Sequence, residues 1–265
     1  MNKGSKYIHI FKTSLSSNLA YFGSFIIKNL FLVLIIFVYL MLWGKIYSQK
    51  GEVISGLTLN NIIWYLIVTE IIALSRSDFY LKVNDEVKNG DIAYGINKPY
   101  NYVLYCFFNS LGEIVVKLGS NMVLGLIIGI IFIGSLEGFN IVTIPFILIS
   151  ILVGSFINVF IYISLALTSF WVEENKPFFW IYSKLIFTLG GMLVPLDLFP
   201  TWLKEISAYL PFAYITYIPG KLAVDFSVEK FYKGFGIQVI YLILFMIIAL
   251  AIYRKGAEKL NVNGG

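Results

Sequence analysis

Lys28, Glu70, Glu113, Lys117 and Lys184 stand in or beside long apolar runs of a 265-residue chain. An ionised side chain is costly there and faces protein or water. Glu113 and Lys117 are spaced i, i+4 with the acid first, the order that pairs best on a helix. Together the five could form a polar layer that closes the inner end of a transmembrane path, with Glu70 paired to Lys28 or Lys117. Lys28 and Lys184 could instead snorkel to lipid head groups along their own stems, a reach the shorter Glu70 lacks. No series of acids crosses the apolar runs as a proton relay would require. The chain has one histidine, His9, and one cysteine, Cys106. No disulfide can therefore form within it, and a Cys/His zinc site is not expected. G-x-x-x-x-G-K-[ST] and H-E-x-x-H are both absent, and no Ser/His/Asp arrangement stands out. These absences point away from an enzyme and toward a chain that moves or anchors something.

A second candidate is polar. Lys82 to Pro99 (KVNDEVKNGDIAYGINKP) interrupts the apolar runs. Asn84 and Asp85 are expected to cap a short helix and to place acid at its positive end. Gly90 would end that helix in a left-handed conformation, and Lys98-Pro99 would force an extended segment. A short helix between two membrane spans suits contact with a soluble partner; an ordinary cytoplasmic loop is the other reading.

The elements that hold these residues follow from composition. The chain is 58% hydrophobic and 13% charged, with a mean hydropathy of +0.82, against the about 25% charge of a soluble domain. It reads as one all-α integral membrane domain over residues 1–265. The spacing predicts six spans, five of them near 24–47, 59–74, 141–171, 178–193 and 235–253, and a third in order that residues 100–116 enter after looking interfacial at first and that runs on to about 133. The first span is expected to remain as an anchor and not to be cleaved as a signal peptide. Ile8, Phe11, Leu15, Leu19 and Phe22 recur at helical spacing, so residues 1–22 are expected to form an amphipathic helix on the inner membrane surface, or else the first wet turns of span one. Gly125 and Gly129 form a small-residue face for close helix packing. Residues 195–220 are too short to span. Pro200, Pro211 and Pro219 limit their helices, Trp202, Ile206 and Tyr209 or Leu210 share one face, and the segment is expected to dip into the outer leaflet and return. With six spans both termini lie on one side. Placing them inside puts eleven Lys and Arg in inner segments against six in outer ones, which favours cytoplasmic termini. The net charge of +5 then reflects lysine-rich inner loops and not a nucleic-acid footprint.

Two segments carry a family resemblance. Glu86, Asn89-Gly90-Asp91-Ile92-Ala93 and Asn97-Lys98-Pro99-Tyr100-Asn101-Tyr102 resemble the inner loop of ABC-2-type transporter permeases, in the small six-span branch where I-x-x-G-x-I-x-x-x-L-x-[KR]-P-x-N leads into the third span. Ile96 departs from the usual Leu. Gly190 to Leu203 (GGMLVPLDLFPTWL), followed by Leu210-Pro211-Phe212, is similar to that family's outer segment after span five. The resemblance implies a transmembrane permease subunit of an ATP-driven exporter in the cell membrane. It would pair with a second permease, identical or related, above a dimer of ABC ATPase subunits. It would bind no cofactor itself; ATP and Mg would belong to the ATPase. By the same resemblance Asn84, Asp85, Glu86, Val87, Lys88, Asn89, Gly90, Asp91, Lys98 and Pro99 would couple to the ATPase, with residues 173–177 as a lesser contact and the N-terminal helix resting on it as well. Pro195, Phe199, Pro200, Trp202 and Pro211 would cap the path outside. Substrates in this branch are often apolar or amphipathic. The rival readings are a secondary transporter, for which no inverted repeat is visible, and a non-conducting membrane anchor.

Overall fold

Backbone N–H and C=O groups in hydrocarbon must be bonded within the chain, and a single apolar chain does this by forming helices. The computed structural model describes residues 4–20, 22–96, 98–136, 138 and 140–263, and the side chains of all these except 22–30, 96 and 260–263. Among the described residues the helices are α1 (Ser5–Ala20), α2 (Phe22–Lys50), α3 (Leu59–Leu74), α4 (Phe79–Lys88), α5 (Ile92–Ile96), α6 (Tyr102–Phe132), α7 (Ile144–Leu167), α8 (Lys176–Leu189), α9 (Thr201–Ala208), α10 (Ile218–Val224) and α11 (Val228–Asn263). A π-helical turn, Ala213–Tyr217, leads directly into α10. The strand content among them is a two-residue hairpin, Val53–Ile54 against Leu57–Thr58. Its turn residues Ser55 and Gly56 both have positive φ (50° and 79°), as a type I′ turn requires.

Among the described residues, four stretches are long and apolar enough to cross a membrane: Phe31–Lys50, Tyr102–Phe132, Ile141–Phe170 and Val228–Lys259. The second and fifth expected spans fall on α3 and α8, of 16 and 14 residues. At 1.5 Å per residue these are about 24 and 21 Å long, short of a hydrocarbon core of about 30 Å. Thr58 starts α3 as a cap, its hydroxyl accepting from Asn61 N at 3.2 Å. α8 stops four residues before the expected end of span five, where Gly191 turns the chain with φ 74°. The third span differs as well. Asn101 caps α6 by accepting from Leu104 N at 3.1 Å, and the helix runs unbroken from there, without a separate interfacial piece.

The first half of α6 carries α1. Ser14 donates to Asn109 O at 2.7 Å, Asn101 N donates to the Tyr7 hydroxyl at 3.0 Å, and Tyr7 stacks on Phe108. The polar edge of α1 therefore faces protein, while Ile8 and Leu19 of the expected apolar stripe point outward. The second half of α6 packs on α3. A Cβ at Gly129 would lie 2.5 Å from the Trp64 ring, and one at Gly125 2.6 Å from Ile71, so both positions need glycine for this approach. α7 packs along α11.

The buried side chains form two main groups. One surrounds α4, where Tyr80 meets Tyr162 at 4.5 Å and Phe179 at 4.7 Å. The other joins α2, α3, the end of α6, the start of α7, and α10. Between α3, α7 and the end of α8 lies the segment Ala213–Val224. Pro219 has no N–H and cannot continue the helical ladder, and the π turn stands just before it. Gln238, fully buried on α11, donates to Tyr214 O at 2.8 Å and to Ser150 O at 3.0 Å. Thr216 donates to Gly190 O at 2.7 Å and Tyr65 to Gly191 O at 2.6 Å. Polar side chains thus satisfy carbonyls that the irregular backbone leaves open.

Candidate functional site

Four groups of residues expected to be functional are positioned by this frame. The first is α4. It does not start at Asn84-Asp85. Asp78 holds the cap position, and Asn84 and Asp85 lie inside the helix. The reason is local satisfaction of the first amides: Ser77 Oγ accepts from Phe79 N at 3.1 Å, and both oxygens of Glu113 accept from Asp78 N at 3.2 and 3.1 Å. The acid at the positive end of this helix comes from α6. Beyond Asn89, Gly90 takes the left-handed backbone with φ 80°.

Tyr80, Val83, Asn84 and Val87 form the buried face of α4. Asn84 Oδ1 accepts from Ser169 Oγ at 2.5 Å, which in turn accepts from Nδ2 of the buried Asn175 at 2.8 Å. Glu86 accepts from the Tyr102 hydroxyl at 2.5 Å and lies 3.8 Å from Lys82. Of the ten residues expected to couple, Asn84, Glu86 and Val87 therefore hold the helix in place. Asp85, Lys88, Asn89, Gly90, Asp91, Lys98 and Pro99 are exposed, alongside Leu81, Lys82 and Tyr94. Lys88 lies 3.8 Å from Glu174, so α4 and the 173–176 loop form one continuous surface. The Lys176 amide, donating at 3.1 Å, holds the Glu174 carboxyl below its ordinary range, with Lys88 and Lys176 assisting. Lys6 reaches the Pro99 carbonyl, which brings α1 to the rim of this surface. Residues 97 and 1–3 lie outside the described residues.

The second group is a polar corner below α3. Lys117 Nζ lies 2.7 Å from Glu113 and 2.9 Å from Asp78, and donates to Arg76 O at 2.9 Å. Ser77 donates to Glu113 at 2.6 Å, and Arg76 to the Tyr162 hydroxyl at 3.0 Å. The expected Glu113–Lys117 pair is thus present, with partners from the α3–α4 connection.

The third is Glu70, 3% exposed. It does not pair with Lys117, which is engaged at the corner. Its Oε1 accepts from the Tyr39 hydroxyl of α2 at 2.8 Å. Lys28 lies on α2, but its side chain is outside those described. Lys184 is exposed on α8, 5.8 Å from the Trp180 ring. The four of these charged residues whose side chains are described do not form one bonded cluster. Glu113 and Lys117 are together, Glu70 is held elsewhere by α2, and Lys184 faces outward. Beside Glu70 an apolar cleft of about 400 Å³ opens between α2, α3 and the end of α8, walled by Phe31, Leu34, Val38, Phe187 and Leu193.

The fourth is the segment after α8. Asp197 organises it, with Lys221 at 3.0 Å, Lys204 at 3.8 Å and the Tyr217 hydroxyl donating at 3.1 Å. Pro195 is buried, Phe199 and Pro211 are half-buried, and Pro200 is exposed. Trp202, Ile206 and Tyr209 present their shared face outward.

Sequence reasoning missed Tyr39, Asp78, Tyr102, Ser169, Asn175 and Asp197 as supporting residues. Asn175 two residues before Pro177 carries a readable helix-start signal. The rest are defined by partners distant in sequence.

A family model described as ABC-2 family transporter protein matches residues 33–264, all but α1 and the first part of α2. The chain belongs to the ABC-2 transporter family. No curated protein matches it. The match makes this chain a membrane permease of the ABC transporter class, and it covers α4, the polar corner, Glu70 and the Asp197 segment together.

Proposed function

We propose that this ABC-2 permease is the membrane subunit of an ATP-driven exporter, working with a second permease and two ATPase subunits, with both termini cytoplasmic. In this reading α3 and α8 complete six membrane crossings, their shortness made up by the capped and re-entrant segments at their ends. The observation that carries the proposal is the two-faced construction of α4. One face is exposed and bears Leu81, Lys82, Asp85 and Lys88. The other is hydrogen-bonded through Asn84 and Ser169 to the start of α8, and through Glu86 to Tyr102 of α6.

A docked ATPase would displace α4 as a unit. The Glu113–Lys117–Asp78 corner and the Asn84–Ser169–Asn175 chain would transmit that motion to α3, α6, α7 and α8. ATP and Mg bind in the partner ATPase; this chain contributes the docking face and the path. The segment 195–224 would cap the path on the opposite side, with Asp197 fastening it.

The test is co-purification. Wild-type permease, Asp85→Ala/Asp91→Ala and Lys88→Ala are extracted in detergent and scored for a bound ATPase. The exposed-face variants should elute as folded protein with the ATPase lost. A wild type that brings down no ATPase would defeat the proposal and favour a secondary transporter or an anchor.

A further inference from the structure

Glu113, half-buried, and Glu70, buried, are both acids among apolar helices, but their surroundings differ. Glu113 is met by Ser77, the Asp78 amide and Lys117. Glu70 has Tyr39 on Oε1, and among the described residues no donor reaches Oε2. A carboxylate with one neutral donor in an apolar setting lacks the compensation that a buried charge needs. It also forms part of the wall of the cleft between α2, α3 and the end of α8. That cleft, at about 400 Å³, falls in the range of small-molecule sites, about 300–1,000 Å³ and mostly apolar with a few placed polar groups. Phe31 and Phe187 line it as well, and aromatic rings can attract a cation.

We propose that this cleft binds a lipophilic monovalent cation, its apolar body against Phe31, Leu34, Val38, Phe187 and Leu193 and its charge at Glu70. Cargo status rests on the exporter reading; binding does not. Charge decides the occupant, because an anion would be repelled by Glu70 and a neutral body would leave the carboxylate unpaired.

The experiment measures radiolabelled tetraphenylphosphonium binding to the purified full-length permease in detergent, with tetraphenylborate, the anion of the same shape, as competitor. Wild type should bind saturably and tetraphenylborate should not compete. Glu70→Gln should weaken binding about tenfold or more. Leu193→Trp, which fills the cleft without touching the acid, should abolish it. If Glu70→Gln fails to fold, Leu193→Trp and the choice between the two ions still decide. Equal binding by a folded Glu70→Gln, unchanged binding by Leu193→Trp, or effective competition by tetraphenylborate would overturn the proposal. So would absence of saturable binding, including the case in which a Leu34→Cys crosslink shows a second copy of the chain seated in the cleft. ATPase co-purification is scored on the same samples, so a failed cleft and a failed exporter reading give separate signatures.

Discussion

The two acids set among the apolar helices, Glu113 and Glu70, invite comparison. Glu113 serves as a joint: it binds the start of α4, pairs with Lys117 and ties α6 to the α3–α4 connection. Glu70 holds one hydroxyl from α2 and otherwise borders open apolar space. The same side chain in the same kind of apolar run is structural where its donors converge and is available where they do not. Residue type and hydropathy alone do not separate the two.

Removing the cation from the joint should have the largest effect. Lys117→Met leaves Glu113 without its cation, while Asp78 keeps Arg76 at 3.8 Å, and should cost about 3–5 kcal/mol, read as a lower unfolding midpoint in detergent. The equivalent change at the other acid should not. The double variant Tyr39→Phe/Glu70→Leu replaces a buried polar pair with apolar groups and should be neutral or stabilising, by up to about 1–4 kcal/mol on the precedent of buried ion pairs; a large loss of stability would make Glu70 a joint after all. Within the joint, Ser77→Ala removes one hydrogen bond to a charged acceptor, about 1.5–3 kcal/mol, and should also loosen the start of α4, visible as faster amide exchange over 79–83. On the exposed face of α4, Asp85→Ala should shift stability by no more than about 0.5 kcal/mol while removing the ATPase.

The smallest effect is at Glu174. Its carboxyl is held below the ordinary range in the fold. Its contribution is therefore present above the unfolded value and is lost as pH falls through the folded one. The melting difference between wild type and Glu174→Gln should be slight at pH 7, shrink with salt and vanish once the pH has fallen below the lowered folded value. A difference that persists in acid would assign the effect to packing and not to charge.

Much of the fold was legible because its signals are local. The apolar runs announced α2, α6, α7 and α11, and the i, i+4 spacing announced Glu113 with Lys117. The glycine pair marked the α3–α6 contact, and the prolines marked a broken segment after α8. The start of α4 was misjudged for a tertiary reason. Asn84-Asp85 is a good local cap, but Glu113, brought in from α6, satisfies the amide at Asp78 instead, and the helix begins there. Of the two lysines that charge suggested for Glu70, Lys117 is engaged elsewhere, and packing supplied Tyr39.

The sequence by itself determined that this chain is a helical membrane protein, where its long apolar helices lie and which segment is polar enough to meet a partner. Those properties depend on hydropathy and on spacing along one helix. Only the tertiary structure decided which face of α4 is held and which is free, that Glu113 and Lys117 sit apart from Glu70 and Lys184, and that Glu70 borders a cleft. Those depend on donors and walls from distant parts of the chain, which only close packing of the helices brings together.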